Sequence, residues 1–173
     1  TPDSYRPTMF DFVAHNALQF YQAPEQAGAK ASDAFEIPAE SPMFADTDEF
    51  VKWAPKTTDK ESRKLRAIRL YQELIRFHSG DANQDALIDA DLWRLAYGKN
   101  NAFGEKKNAN YKKALERFIG KWADHQISAR ARYQLAQVLH GEGDFVVAHK
   151  LAKQGVDTYP NSPGGAQCHN LVQ

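Results

Sequence analysis

The chain of 173 residues has few of the features that would tie it to a membrane, a nucleic acid or a disulfide framework. Its one cysteine, Cys168, excludes an internal disulfide. Its 22 basic and 22 acidic residues cancel, so it lacks the basic excess typical of nucleic-acid binders. No apolar run approaches the roughly 18 residues of a membrane-spanning helix. We therefore expect no nucleic-acid partner and no membrane insertion by this segment.

Common motifs of catalysis and metal binding are also missing. The sequence has no glycine-rich phosphate loop, no Gly-x-Ser-x-Gly motif and no Cys-x-x-Cys pair, and none of its six histidines lies in a zinc-protease motif. Its carboxylates lie in turns or on polar helix faces, where solvation explains them. We expect no catalytic residue, no cofactor and no metal. The alternative is an enzyme or its regulatory domain, with His140 and His149 as catalytic candidates.

Residues 81–89 resemble part of a calcium loop. Oxygen-bearing side chains occupy the first, third, fifth and ninth places, at Asp81, Asn83, Asp85 and Asp89. Ala86 stands where a glycine makes the sharp turn, and Leu92 stands where a glutamate closes the site. The other interpretation is an inter-helix turn whose aspartates cap the next helix. A calcium-binding domain therefore remains only part of the alternative function.

What the sequence does contain is helical periodicity. Hydrophobic residues make up 42% of the chain, which is ordinary for a packed globular protein. Their spacing predicts helices over 7–21, 47–53, 59–78, 85–97 and 108–123, a helical hairpin over 128–160, and a last helix from Ser162. We predict an all-α fold of about seven helices in one domain over 1–173. Its parts are an N-terminal helix (1–22), an irregular segment with one short helix (23–58), and helical hairpins (59–173).

The first helix and the segment after it differ in character. One apolar stripe of the helix comprises Phe10, Val13, Ala14, Ala17, Leu18 and Tyr21. Phe12 and Phe20 lie off this stripe, so we expect the helix to bury more than one face. From Ala23 to Ala45, prolines interrupt the periodicity. We expect an irregular segment that crosses the helices and is pinned by Phe35, Ile37, Met43 and Phe44; the alternative is a mobile linker.

The stretch from Ser128 to Pro160 has the pattern of two helices joined by a tight turn. One face of the second helix comprises Phe145, Ala148, Ala152 and Val156, and Gly143 permits the turn. The stretch resembles a tetratricopeptide repeat, a helix–turn–helix module of about 34 residues. The matching positions are Leu135, Ala136, Gly143, Asp144, Phe145, Ala148 and Pro160. A similar pattern one repeat length earlier, at Tyr111, Ala114, Phe118 and Trp122, predicts a right-handed array of stacked hairpins.

Such an array exposes a groove along one face. If the repeat pattern holds, the groove-lining helix presents Arg130, Tyr133, Gln137 and His140. Arginine and tyrosine are enriched at interfaces, so these residues form the predicted peptide groove. The alternative is that all four are solvated surface residues.

Three separated stretches carry a family resemblance: 6–18 (RPTMFDFVAHNAL), 86–92 (ALIDADL) and 159–168 (YPNSPGGAQC). Together they resemble the helical region of large bacterial alpha-2-macroglobulin-like proteins of the Bacteroidetes type. The resemblance implies a segment of a long, exported cell-envelope protein that traps proteinases, with other domains of the same polypeptide as partners. Cys168 is followed by His169, so the Cys-Gly-Glu-Gln thioester of that family is not present in this chain. The sequence thus predicts a non-catalytic scaffold or protein-interaction module.

Overall fold

A computed structural model describes residues 3–23 and 33–173 and confirms the predicted all-α class. Its helices are α1 (Met9–Gln22), α2 (Thr47–Lys52), α3 (Arg63–His78), α4 (Asp85–Asn101), α5 (Lys107–Lys121), α6 (Ile127–Gly141), α7 (Phe145–Thr158) and α8 (Pro163–Val172). Two-residue strands β1 (Ile37–Pro38) and β2 (Ala102–Phe103) pair in parallel. Short 3₁₀ helices span Asp3–Tyr5 and Pro42–Phe44. Among these described residues, no helix has both the length and the apolar character needed to cross a bilayer.

The chain divides into two compact units, residues 1–107 and 108–173. The first unit contains α1 to α4 and both strands. The second contains α6 to α8 and, apart from its first residue, α5. The single domain expected over 1–173 and the right-handed tetratricopeptide-like array both stay predictions.

In the first unit, α3 begins later than the expected start near Asp59. Ser62 caps the helix, since its hydroxyl accepts the backbone N–H of Leu65 at 3.3 Å. The Asp59 carboxylate instead accepts the backbone N–H of Phe35 at 3.1 Å. Asp59 therefore holds the irregular segment rather than starting the helix.

Helix α4 is buried on nearly all sides, because every residue from Ala86 to Leu92 is buried. Arg94, only 1% exposed, donates to the carbonyl oxygens of Met43 at 2.8 Å and Ala45 at 2.9 Å. These bonds pin the irregular segment to α4.

Four residues were predicted to anchor the irregular segment against the helices. Ile37, Met43 and Phe44 are buried, as expected, and Phe35 is half-buried. The part of the segment at 24–32 lies outside the described residues.

The expectation for α1 is wrong in one respect. The helix buries a single face, which comprises Asp11, Ala14, His15 and Leu18. Phe12, Val13 and Phe20, which we expected to be covered, are 63%, 57% and 59% exposed. Sequence periodicity identified the helix but not the direction of its buried face.

The second unit contains the predicted hairpin. Gly143 has a φ of 88°, so it makes the turn between α6 and α7 that its lack of a side chain permits. The small side chains Ala136, Ala148, Ala152 and Cys168 form a buried cluster between α6, α7 and α8. A Cβ on Gly164 would overlap the backbone of Arg130, so this glycine lets α8 lie directly against α6.

Candidate interaction surface

The four predicted groove residues all lie on α6, at spacings that place them on one face of the helix. Arg130 and Tyr133 are half-buried, and Gln137 and His140 are exposed. The side-chain amide of Gln137 donates to the Tyr133 hydroxyl over 2.7 Å. The structure therefore brings the predicted residues together as one row along α6.

This row stands on a firmly packed part of the second unit. The Tyr133 side chain packs against the Ala136, Ala148, Ala152 and Cys168 cluster. The backbone of Arg130 lies directly against Gly164 of α8. Helix packing thus positions the Tyr133 side chain and the backbone of Arg130.

An apolar patch continues the row at the start of α7. Phe145, Val146 and Val147 are 57%, 82% and 47% exposed. The His140 ring meets the Phe145 ring edge-on, with centroids 4.8 Å apart. We call the row Arg130, Tyr133, Gln137 and His140 together with Phe145–Val147 the α6–α7 surface.

The exposure of Phe145 corrects the repeat pattern, which assigned this residue to the core. Phe145 is the first residue of α7 and lies beside the turn, where its ring meets His140. The helices themselves meet farther along, at Ala136, Ala148 and Ala152. Sequence carried one signal of this outcome: successive helix residues point about 100° apart, so three consecutive apolar residues cannot all face a single neighbour.

The catalytic alternative named two histidines, His140 and His149. His140 and His149 are exposed on α6 and α7. Within residues 3–23 and 33–173, no group of three His, Cys, Asp or Glu side chains is placed to hold a metal ion. The catalytic alternative therefore stays a prediction.

The turn that resembles a calcium loop uses its oxygens locally. The Asp81 carboxylate lies 2.6 Å from Nδ1 of His78, and the Asn83 side chain accepts the backbone N–H of Asp85 at 2.8 Å. Gln84 donates to the backbone carbonyl of Asp81. These contacts are those of an inter-helix turn that precedes α4.

A buried charged cluster in the first unit was not expected. Nε2 of His78 lies 2.7 Å from a carboxylate oxygen of Asp11, whose side chain also accepts bonds from the Thr8 backbone and hydroxyl at 2.9 and 2.7 Å. Asp11 and His78 are each 1% exposed. Asp11 of α1 and His78 of α3 are 67 residues apart in sequence, so only the fold reveals their contact.

The cluster shifts the pKa values of its members. Burial alone lowers the pKa of His78, but bonds to Asp81 and Asp11 and their negative charges outweigh it and raise the pKa above 6.5. Burial likewise opposes ionisation of Asp11, yet bonds from Thr8 and His78 hold its pKa below 3.8. For neighbouring His15 the compensation is too small: burial, followed by the Arg6 charge, outweighs the Asp11 charge and lowers the pKa to about 4. The buried Asp11–His78 contact, in which each pKa shift favours the charged form, therefore ties α1 to α3.

The chain was compared with protein families, curated proteins and solved structures. No family model matches the chain, and neither the search of curated proteins nor that of solved structures found a significant match. The macroglobulin resemblance therefore stays a prediction that rests on the three quoted stretches.

Proposed function

We propose that this chain is a non-catalytic helical scaffold that binds a protein or peptide through the α6–α7 surface. The observation that carries the proposal is the continuity of that surface. A polar and aromatic row on α6 runs into exposed apolar residues on α7, where His140 and Phe145 meet. Exposed apolar patches bordered by polar groups are typical of interaction sites.

The side chains suggest the chemistry of the ligand. The Arg130 guanidinium can bind a carboxylate, and the Tyr133 ring offers a flat face for stacking. Phe145, Val146 and Val147 would cover an apolar side chain several residues away. These groups together suit an extended peptide that carries an acidic residue and, farther along, an apolar one.

Binding can be tested by quantitative pull-down from a bacterial envelope fraction. The bait proteins are the wild type, an Arg130→Ala/Tyr133→Ala variant, and a control with Lys150→Ala/Gln154→Ala on the exposed side of α7. We expect a partner that the wild type and the control retain and the first variant loses. Identical partner lists from all three baits would exclude the α6–α7 surface and leave only a spacer role.

We also propose a context for this scaffold, as part of a large exported proteinase-trapping protein of the cell envelope. The support is the resemblance of residues 6–18, 86–92 and 159–168 to the macroglobulin-like family. The partner in that context is another domain of the same polypeptide. The coding sequence that follows Gln173 provides the test: β-sandwich alternation there would support the proposal, and a stop codon or an enzyme domain would contradict it.

A further inference from the structure

Helix α1 presents an unusual face to solvent. Met9, Phe12, Val13 and Phe20 are 75%, 63%, 57% and 59% exposed. They fall within about a third of the helix circumference, opposite the buried face. The other exposed residues of α1 are Asn16, Gln19 and Gln22, so none of its exposed side chains is charged. A solvent-facing helix normally carries charged residues on its outer face.

Helix α3 extends this apolar face at one side. The Phe10 and Phe77 rings are 4.9 Å apart, and Phe77 is 52% exposed. At the other end of α1, the Arg63 guanidinium lies over the Phe20 ring, 4.8 Å from its centroid. Because the start of α1 meets the end of α3 and the end of α1 meets its start, the two helices run antiparallel. The outer face of α1, with Phe77 and Arg63 of α3 beside it, is a straight band about 16 Å long between Met9 and Phe20.

Charge distinguishes the two ends of the band. Arg63 lies on it at the Phe20 end, and the exposed Arg66 follows on the outer side of α3. At the Met9 end the exposed ring of Phe77 continues the band. A stacked, planar guanidinium is well placed to bind a carboxylate through two parallel hydrogen bonds. The band therefore complements a ligand that is apolar along its length and acidic at one end.

We propose that this α1–α3 band is a docking site for an amphipathic helix of about three turns with acidic residues at one end. A helix that packs along the outer face of α1 would cover Met9, Phe12, Val13 and Phe20 with its apolar side chains. Its carboxylates would meet Arg63 and would compete with Glu61 for Arg66, which Glu61 already pairs. Methionine, phenylalanine and arginine are the residues enriched at protein interfaces, which favours a protein partner over a lipid surface. The band belongs to residues 1–107 and is independent of the α6–α7 surface.

The test uses two fluorescein-labelled designed helices of about 15 residues with identical leucine faces. One carries glutamates at one end and the other carries lysines there. Fluorescence anisotropy should show that the glutamate peptide binds the wild-type chain at least tenfold more tightly, a difference of about 1.4 kcal/mol. Phe12→Gln/Val13→Gln should weaken this binding at least tenfold. Arg63→Glu/Arg66→Glu should reverse the preference between the peptides.

Phe103→Gln is the matched control, because Phe103 in β2 is 54% exposed and lies outside the band. It should leave the affinity unchanged, and so should Arg130→Ala/Tyr133→Ala, which separates this site from the α6–α7 surface. Circular dichroism checks that each variant is folded. Equal affinity for the two peptides, or binding that survives Phe12→Gln/Val13→Gln, would overturn the proposal.

Two further outcomes would assign the band to another occupant and also overturn the proposal. In one, the wild type binds neither peptide but binds phosphatidylglycerol vesicles, and the Phe12→Gln/Val13→Gln variant does not bind the vesicles. The other is a wild-type dimer in sedimentation that this variant converts to a monomer.

Discussion

Replacing Asp11 with asparagine would remove the negative charge that faces His78 inside the first unit. The substitution keeps the size of the side chain but leaves a buried imidazolium with Asp81 as its remaining carboxylate. The Thr8 N–H and hydroxyl, which both bond to Asp11, would also lose a charged acceptor. The perturbation thus acts on the contact between α1 and α3 and on the N-terminal cap of α1.

The expected loss is large because both partners are buried. Asp11 and His78 are each 1% exposed, and breaking such a pair from one side costs about 3–5 kcal/mol. Asp81 provides the matched comparison, since its side chain is 42% exposed and also bonds to His78. Solvent screens that contact, so Asp81→Asn should cost about 1 kcal/mol or less.

The loss should also depend on pH in a defined direction. The pKa of His78 is raised in the folded protein, so its stabilising contribution is complete below about 6.5 and is lost as pH rises through the folded value. The pKa of Asp11 is lowered, so its contribution is complete above about 3.8 and is lost as pH falls through the folded value. The wild type should therefore exceed Asp11→Asn in stability most clearly between about pH 4 and 6.5, and the difference should shrink in alkali.

His15 adds a pH dependence of opposite sign. Its pKa is lowered to about 4, so its contribution is complete above about 6.5 and is lost as pH falls through about 4. This slope is largely common to the wild type and Asp11→Asn. The difference between the two proteins therefore reports mainly on the Asp11–His78 pair.

Urea unfolding at pH 5.5 and 9, followed by tryptophan fluorescence, measures the effect. A Trp122→Phe background leaves Trp53 and Trp93 as reporters, and both lie in the first unit. A destabilisation that is equal at the two pH values, or larger at pH 9, would contradict a charged contact between Asp11 and His78. So would a loss of stability in Asp81→Asn as large as that in Asp11→Asn.

Three further outcomes are expected. Arg94→Met should destabilise the first unit by about 3–5 kcal/mol in urea unfolding, because the Asp91 carboxylate would lose its buried partner; a loss below about 1 kcal/mol would contradict this role. Gly155→Ala should lower the free energy of unfolding by about 1–3 kcal/mol in thermal unfolding, because the new Cβ would lie 2.5 Å from Sγ of Cys168. Gly120→Ala is the control and should be neutral or stabilising, because the space around Gly120 is open. Burial raises the pKa of the Cys168 thiol to about 11, so a disulfide reagent at pH 8 should label it only in denaturant; rapid labelling of the native protein would contradict its burial.

Local sequence was sufficient for much of the second unit. The apolar spacing of Tyr111, Ala114, Leu115 and Phe118 predicted a helix, and all four residues are buried in α5. Gly143 predicted the tight turn that the structure shows. Asp144 caps α7 by accepting the backbone N–H of Val147 at 3.4 Å, as its place before the helix suggests. These features depend on residues within a turn or two of one another, so a single sequence can reveal them.

The candidate surface was only half visible from sequence. The row Arg130, Tyr133, Gln137 and His140 followed from helical spacing. The apolar extension at Phe145 did not follow from helical spacing. The repeat pattern indicates which residues can face a neighbouring helix, but it does not indicate where that neighbour ends.

The sequence alone determined that this chain is helical, where most of its helices lie and which turns join them, because periodicity, caps and glycines act locally. Tertiary structure alone decided which face of α1 is covered, that Asp11 meets His78, and that Arg94 is buried beneath the carbonyls of Met43 and Ala45. Such contacts join residues far apart in the chain, and a buried charge is stable only where the fold supplies its partners.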